Sequence, residues 1–502
     1  MKTSLWGRWL GLCALVVMLA GCAGTRTVDK DSALSMLATS DYQAYAARYL
    51  DSKGQPTYDP TSLLDSLEAG KAFNDAGMWE LSRDAFDAAS KMLAWKEDTI
   101  DTPAEVANFL GTTLTSDAFG AYQGKIHQGS LIDYYQAINH LMLGREADAR
   151  VDFNRLQVRQ SNAVKQLAAY TKSVDGAVKE GLHDENHAGA TESLGEVGPK
   201  IADGIKDLPA GLSESKIRLA SGDVMSALFR STSAAKADKS TNLSRDMLKN
   251  ARDSSATRGG SAMIAYLDRE LRNGKGTLKN KAIIIYEDGI GPGFNEFRID
   301  LPLFLVSSNV TYTGIALPQF VPGQPALGHL GIGQGKTAGE TSTLTDLNAL
   351  AALEFDVAYK GIVAKAVISS IIKTTAQVAI NHQVDQQANP LLGALIKIGA
   401  GLGQAALTRA DTRAWVNLPN TIQMAVVDRP KDGKLSLNSP DGQLIQTLDL
   451  PKDVNSLVLV KAHGTLGPPA VYLQSLPATT PVMPASLIAI PETIPEAPHE
   501  KT

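Results

Sequence analysis

Few residues in this 502-residue chain could do chemistry alone, and their spacing narrows the field. There are two cysteines, Cys13 and Cys22, and eight histidines. Cys22 closes the run Leu19-Ala20-Gly21-Cys22. Its thiol is the best nucleophile available there, and the three small or aliphatic residues before it suit a narrow peptidase cleft. His183, Glu185 and His187 could share a helical turn and hold a metal, but the glycines around them favour a solvated loop. Residues 331–337 (GIGQGKT) imitate a phosphate loop. That loop needs glycine where Leu330 stands, and an apolar strand where Pro322, Gly323 and Pro325 stand. Residues 399–404 (GAGLGQ) are misspaced for a dinucleotide fingerprint and read as close helix packing. Neither G-x-S-x-G nor H-E-x-x-H occurs. Asp411, Arg413 and Trp415 read as an ion pair beside a buried ring, and Glu287, Asp288 and Arg298 as charges that pair with each other. No catalytic residue, metal site or cofactor is expected.

Cys22 takes its meaning from the residues before it. Lys2 and Arg8 give a positive start, and Trp9 to Ala20 form an uncharged apolar run. The run is shorter than the roughly 20 residues of a spanning helix and reads as a secretory signal. Residues 19–22 resemble the bacterial lipobox. The resemblance implies cleavage after Gly21, a diacylglycerol thioether on Cys22 and acylation of the new amine. Two or three acyl chains hold a protein stably where one is marginal. Ala23, rather than aspartate, implies sorting to the outer membrane with the protein facing the periplasm. Removing 21 residues from 502 would leave 481, without Cys13, and loss of Lys2 and Arg8 takes the charge from −5 to −7. One lipidated cysteine would leave no disulfide, thiol catalyst or thiolate metal ligand. The acidic balance gives no reason to expect a nucleic-acid partner.

The elements that position these residues follow from composition and period. Apolar residues make up 44% and charged residues 20%, an ordinary globular balance. The expected fold class is α+β, with a signal over 1–21 and a tether over 22–32. A helical domain of tetratricopeptide (TPR) type spans 33–278, a mixed α+β domain with antiparallel strands 279–475, and a proline-rich tail 476–502. From Ala33 to about Gln160, aromatic and aliphatic residues recur three and four apart, as in Tyr42, Tyr45 and Tyr49.

Two stretches carry TPR spacing. In the first, Gly70 and Phe73 take the small and aromatic positions of one helix, and Gly77 makes the turn. Trp79, Ser82, Phe86 and Ala89 belong to the next helix. Small residues let two helices approach, and aromatics fill the gap beside them. In the second, Ala137 and His140 precede a turn at Gly144, with Ala149, Phe153 and Leu156 following. His140 stands where an aromatic is expected. A fainter third copy would use Gly222, Ala227, Ser231 and Ala234. Residues 181–200 read as a loop, and 237–260 as polar helix and loop without an apolar stripe.

Strands are expected at 282–289, 298–306 and 310–318, then a glycine-rich loop over 323–343. Helix returns from Leu344 to about His382, with Lys365, Ser369, Lys373 and Gln377 as a polar stripe. Residues 390–407 read as a packed helix. Strands follow around 421–428, 433–438, 443–449, 456–462 and 470–474, with Asp441-Gly442 turning one hairpin. The tail after Leu476, with six prolines, reads as an extended or disordered end.

With both halves in view, the chain resembles a family of Gram-negative envelope lipoproteins with TPR-like N-terminal halves. The residues that carry this are the lipobox, YYQAINHLMLGREADARVDFNRLQVRQ, YEDGIGPGFNEFRIDLPL with GIALP, and DTRAWVNLP at 411–419. The family supplies no catalytic residues. The expected function is a lipid-anchored envelope protein that binds or scaffolds a protein partner through its helices. The alternative is a hydrolase of envelope polymers, with a deep polar pocket near 287–298 and 411–415.

Overall fold

The computed structural model describes residues 30–99, 122, 124–183, 190–236, 240–302, 312–333, 339–385 and 409–482. The signal, Cys22, the Glu185/His187 pair, Lys336 and residues 390–407 lie outside them. The order of elements is α+β as expected: helices lead, and three sheets with mostly antiparallel strands follow around one long helix.

The helices are α1 (Lys30–Ala38), α2 (Tyr42–Ala47), α3 (Leu63–Asp75), α4 (Trp79–Thr99), α5 (Ile126–Met142) and α6 (Glu146–His183), then α7 (Ala190–Ile201), α8 (Ala220–Thr232), α9 (Thr241–Ser254) and α10 (Arg258–Asn273). Both expected hairpins form. Gly77 and Gly144 turn them at φ +74° and +71°, where a Cβ is strained. A Cβ on Gly70 would sit 2.7 Å from the Phe86 ring, so its smallness sets the approach of α3 to α4. Phe73, Phe86, Ala89, Ala149 and Phe153 are all buried. Phe86 stacks on Tyr135 of α5 at 5.8 Å, which joins the two hairpins. His140 is accommodated by a hydrogen bond: its Nδ1 lies 2.6 Å from Asp152 Oδ2 on α6.

Three expectations for this half need correction. Residues 190–201 are helix, because Val197 and Ile201 pack into an apolar cluster that outweighs glycine and Pro199. Residues 241–254 do carry an apolar stripe: Met247, Leu248 and Ala251 are buried on one side of α9. Gly222 lies in the first turn of α8 and not between two helices, so the third copy is a single helix.

The strands are β1 (Lys281–Asp288), β2 (Gly293–Pro302), β3 (Tyr312–Val321), β4 (Gly331–Ile332), β5 (Gly339–Glu340) and β6 (Ser342–Asp346). After α11 (Leu347–Asp385) come β7 (Thr421–Asp428), β8 (Lys434–Asn438), β9 (Leu444–Asp449), β10 (Asn455–Ala462) and β11 (Ala470–Leu476). The supposed loop over 323–343 therefore holds two short strands. β4 is followed by strand β5, antiparallel to it, where a phosphate loop would open a helix. Of the α11 polar stripe, only the Lys365 side chain is described.

The main sheet runs β11-β10-β1-β7-β6, with β1 and β10 parallel and the other pairs antiparallel. β1 is apolar on both sides because both faces are covered. Ala282, Ile284 and Tyr286 face the small sheet β5-β4-β8-β9, while Ile283 and Ile285 face the helices. That second core is continuous from Leu67 and Phe86 to Leu459 and Ile422, across residue 279. β2 and β3 form a separate hairpin against α11. Residues 476–482 lie seated in the described structure: Val482 N–H donates to Met142 O, and Trp79 Nε1 donates to Val482 O.

Candidate functional site: a buried charge cluster between helices and sheet

Alternation along the two central strands places charge where apolar residues would be expected. Glu287 continues the helix-facing row of Ile283 and Ile285, and Lys461 continues that of Leu457 and Leu459. Glu287 and Lys461 are partners in the parallel register. Opposite them, Lys71 and Asp75 stand four apart, and so on one face of α3. All four are buried.

The geometry is close. Lys71 Nζ pairs with Asp75 Oδ1 and lies 2.9 Å from Glu287 Oε2. Lys461 Nζ lies 2.9 Å from Asp75 Oδ1 and 3.8 Å from Glu287 Oε2, and also donates to Asn74 Oδ1. Two ammonium groups thus face two carboxylates with no net charge. Tyr135 lies under both lysines, its ring centroid 5.3 Å from Lys71 Nζ and 6.0 Å from Lys461 Nζ. Uncharged groups complete the shell. Asn74 Nδ2 donates to Asn139 Oδ1, Asn139 Nδ2 to Ser82 Oγ, and Ser82 Oγ to the Gly70 carbonyl. Tyr42 Oη donates to the Lys461 carbonyl, and Tyr472 Oη to the Asp75 carbonyl.

Burial and charge pull the protonation states in opposite directions. Burial raises the Asp75 carboxyl, but Lys461 and Lys71 overcome it and hold the group at about 2. Burial lowers Lys71, yet Asp75 and Glu287 carry it above its ordinary value. Burial dominates for Lys461, which falls below its ordinary value. His463 lies 3.7 Å from Asp75 and is pushed down by burial to about 4, so it is neutral near pH 7. The cluster is sealed from solvent and cannot meet a substrate. Its capacity is mechanical: it ties the first hairpin to the ends of β1 and β10. Removing one partner from such a group costs about 3–5 kcal/mol, since an uncompensated charge stays buried.

The residues singled out from the sequence are only partly brought together here. Gly70 and Phe86 border the cluster through Ser82 and Tyr135, whereas Gly144, Ala149 and Phe153 belong to the second hairpin. Asp411 and Arg413 do pair, at 2.8 Å, and Trp415 is buried against Phe86 and Tyr135. The expected mutual pairing of Glu287, Asp288 and Arg298 does not occur. Glu287 faces the lysines because it points to the helix side. Asp288, on the opposite face, accepts from Tyr286 Oη and from the backbone N–H groups of residues 326–328. Arg298 pairs with Glu296 on its own strand. Where the hydrolase alternative needs a deep pocket, Phe294, Glu354, Ala414 and Trp415 line a cavity of about 40 Å³. That is room for a few waters.

Among the described residues no group of three or more His, Cys, Asp or Glu could hold a metal, and no helix is long and apolar enough to cross a membrane. Comparison with protein-family models, curated proteins and solved structures finds no match to this chain.

Proposed function

We propose that this chain is a lipid-anchored envelope protein of the outer membrane that binds a protein partner through its helical hairpins. Lipid on Cys22 supplies the tether, and the partner is a second envelope protein. The observation that carries the binding reading is a pair of valines in water on α6, with Asn154 and Arg155 between them. Val151 and Val158 are 54% and 61% exposed and seven residues apart, hence on one side of the helix. Apolar anchors seven residues apart on one helix face match the spacing by which helices dock on a partner. A second observation supports it. The turns of the two hairpins already hold an irregular segment, residues 478–482, through Trp79 and the Met142 backbone. Gln474 Nε2 adds a bond to the Thr480 carbonyl. The hairpins thus already hold one segment of non-helical chain. The buried cluster ties the first hairpin to the sheet, and the Phe86–Tyr135 stack joins the second hairpin to the first, which spares a partner the cost of ordering them.

Two variants of the full chain test this. Cys22→Ser should abolish palmitate labelling and shift the protein out of the outer-membrane fraction. Val151→Asp with Val158→Asp should leave labelling and folding intact but lose co-purification of the envelope partner. A Cys22→Ser protein that is still labelled and membrane-bound would refute the anchor. Unchanged co-purification by the double variant would refute the use of this face.

A further inference from the structure

The hairpin of α9 and α10 differs in charge from the rest of the chain. Residues 241–281 hold nine Lys and Arg against four Asp and Glu, a net +5, while the whole chain carries −5. The remainder is therefore at −10. Eight of the nine bases are exposed; Lys281 alone is buried, held by Glu270 and Asp428.

Four of these bases converge. A groove of about 550 Å³ between α9 and α10 is lined by Arg245, Lys249, Arg252 and Arg272, with Asp246, Asp268 and Asn242. Leu248 and Ile264 form its apolar floor, and both are buried in the hairpin core. Arg245, Lys249 and Arg252 are four and three residues apart, so they line one side of α9. Asp268 on α10 is already engaged: it accepts from Arg245 at 3.0 Å and also from Arg272. Burial raises the Asp268 carboxyl, but the hydrogen bonds and charges of these two arginines together hold it below its ordinary value. It acts as a strut that fixes two guanidinium groups at the groove wall. Lys249 and Arg252 have no ion-pair partner among the described residues. The lining thus has four cations against two acids, and two of the cations are uncommitted.

We propose that this groove is a binding site for a small oxyanion ligand bearing at least two negative charges on phosphate or carboxylate groups. Guanidinium forks match both groups in a bidentate manner, and the lysine adds a point charge. The volume falls within the roughly 300–1,000 Å³ of ligand pockets. Its concavity suits a discrete ligand, since a flat bilayer surface cannot enter it. The site also lies far from the N-terminal helix. α10 meets β1 at its first residue, Lys281, whereas α1 meets the chain just past the end of β10, where Leu466 N–H donates to Ala38 O. β1 and β10 are parallel and eight residues long, so about 23 Å of strand separates the two ends.

The test is equilibrium binding of inorganic tripolyphosphate and of citrate to the full chain in non-ionic detergent. At least one probe should bind, at least tenfold more weakly at 300 mM than at 50 mM salt. Lys249→Gln with Arg252→Gln should weaken it at least tenfold, with circular dichroism and urea melts unchanged, since both side chains are exposed. Lys275→Gln with Lys279→Gln, outside the groove, should bind like the parent. Failure of both probes would overturn the proposal, as would unchanged binding by the Lys249/Arg252 variant. Binding to phosphatidylglycerol vesicles with neither free probe would overturn it too, by making this a membrane-facing surface.

Discussion

Replacing Lys461 by methionine keeps the length of the side chain and removes its charge. Lys461 Nζ sits 2.9 Å from Asp75 and 3.8 Å from Glu287. At an effective dielectric of about 20, those separations correspond to gross attractions of about 6 and 4 kcal/mol. Desolvating the ammonium offsets several kcal/mol of this. What remains after the substitution is one ammonium, Lys71, against two buried carboxylates. The expected loss of unfolding free energy is about 3–5 kcal/mol, read from urea melts near pH 7. Adding Glu287→Gln removes the surplus negative charge and leaves Lys71 with Asp75. The double variant should recover at least half of the loss, a coupling of about 2 kcal/mol in the double-mutant cycle. A single-variant cost below about 1 kcal/mol, or strict additivity of the two substitutions, would refute the charge-lock reasoning.

Further outcomes follow from neighbouring groups. His463 is held at about 4, below its ordinary 6.5, so the unfolded chain binds its proton first and stability falls as pH drops from about 6.5 to about 4. His463→Gln should flatten that limb, which is worth about 3 kcal/mol, in melts taken between pH 7 and pH 4. Glu68 behaves oppositely: burial first raises its carboxyl to about 8, so the folded protein keeps a proton the unfolded chain releases above about 4.5. Stability is then lost as pH rises from about 4.5 to about 8, and Glu68→Gln should be more stable than the parent at pH 8 but not at pH 4.5. Gly144→Ala places a Cβ 2.7 Å from the Thr480 backbone at φ +71°, so it should free residues 478–482 to protease before the helices are cut. The backbone strain alone costs about 1–2 kcal/mol.

What the sequence made legible was local. Gly77 and Gly144, the Gly70–Phe86 contact and the Asp441-Gly442 turn each depend on residues close in the chain, and each stands where the spacing placed it. The strands after 421 were equally clear, because alternation and turn residues bounded them. The charge cluster was not legible, since Lys71 and Lys461 stand 390 positions apart and nothing local ties them. One signal was present: the apolar rows of β1 and β10 each end in a charge on the face that must be buried. The expected pairing of Glu287 and Asp288 with Arg298 runs against that alternation, which puts Glu287 and Asp288 on opposite faces. The helix at 190–201 was hidden for another reason. Its glycines and Pro199 argue against helix locally, and only packing of Val197 and Ile201 against distant β-strands reverses that.

The most direct measurement is site-specific photo-crosslinking in intact cells, with the crosslinking residue at Val158 of the full chain. The expected result is one discrete adduct with an envelope protein, lost when Val151→Asp is added and absent when the crosslinker replaces exposed Leu466, whose backbone N–H meets Ala38 at the end of α1. No adduct at Val158, or equal adducts at Val158 and Leu466, would contradict the assignment of this face as a partner-binding surface.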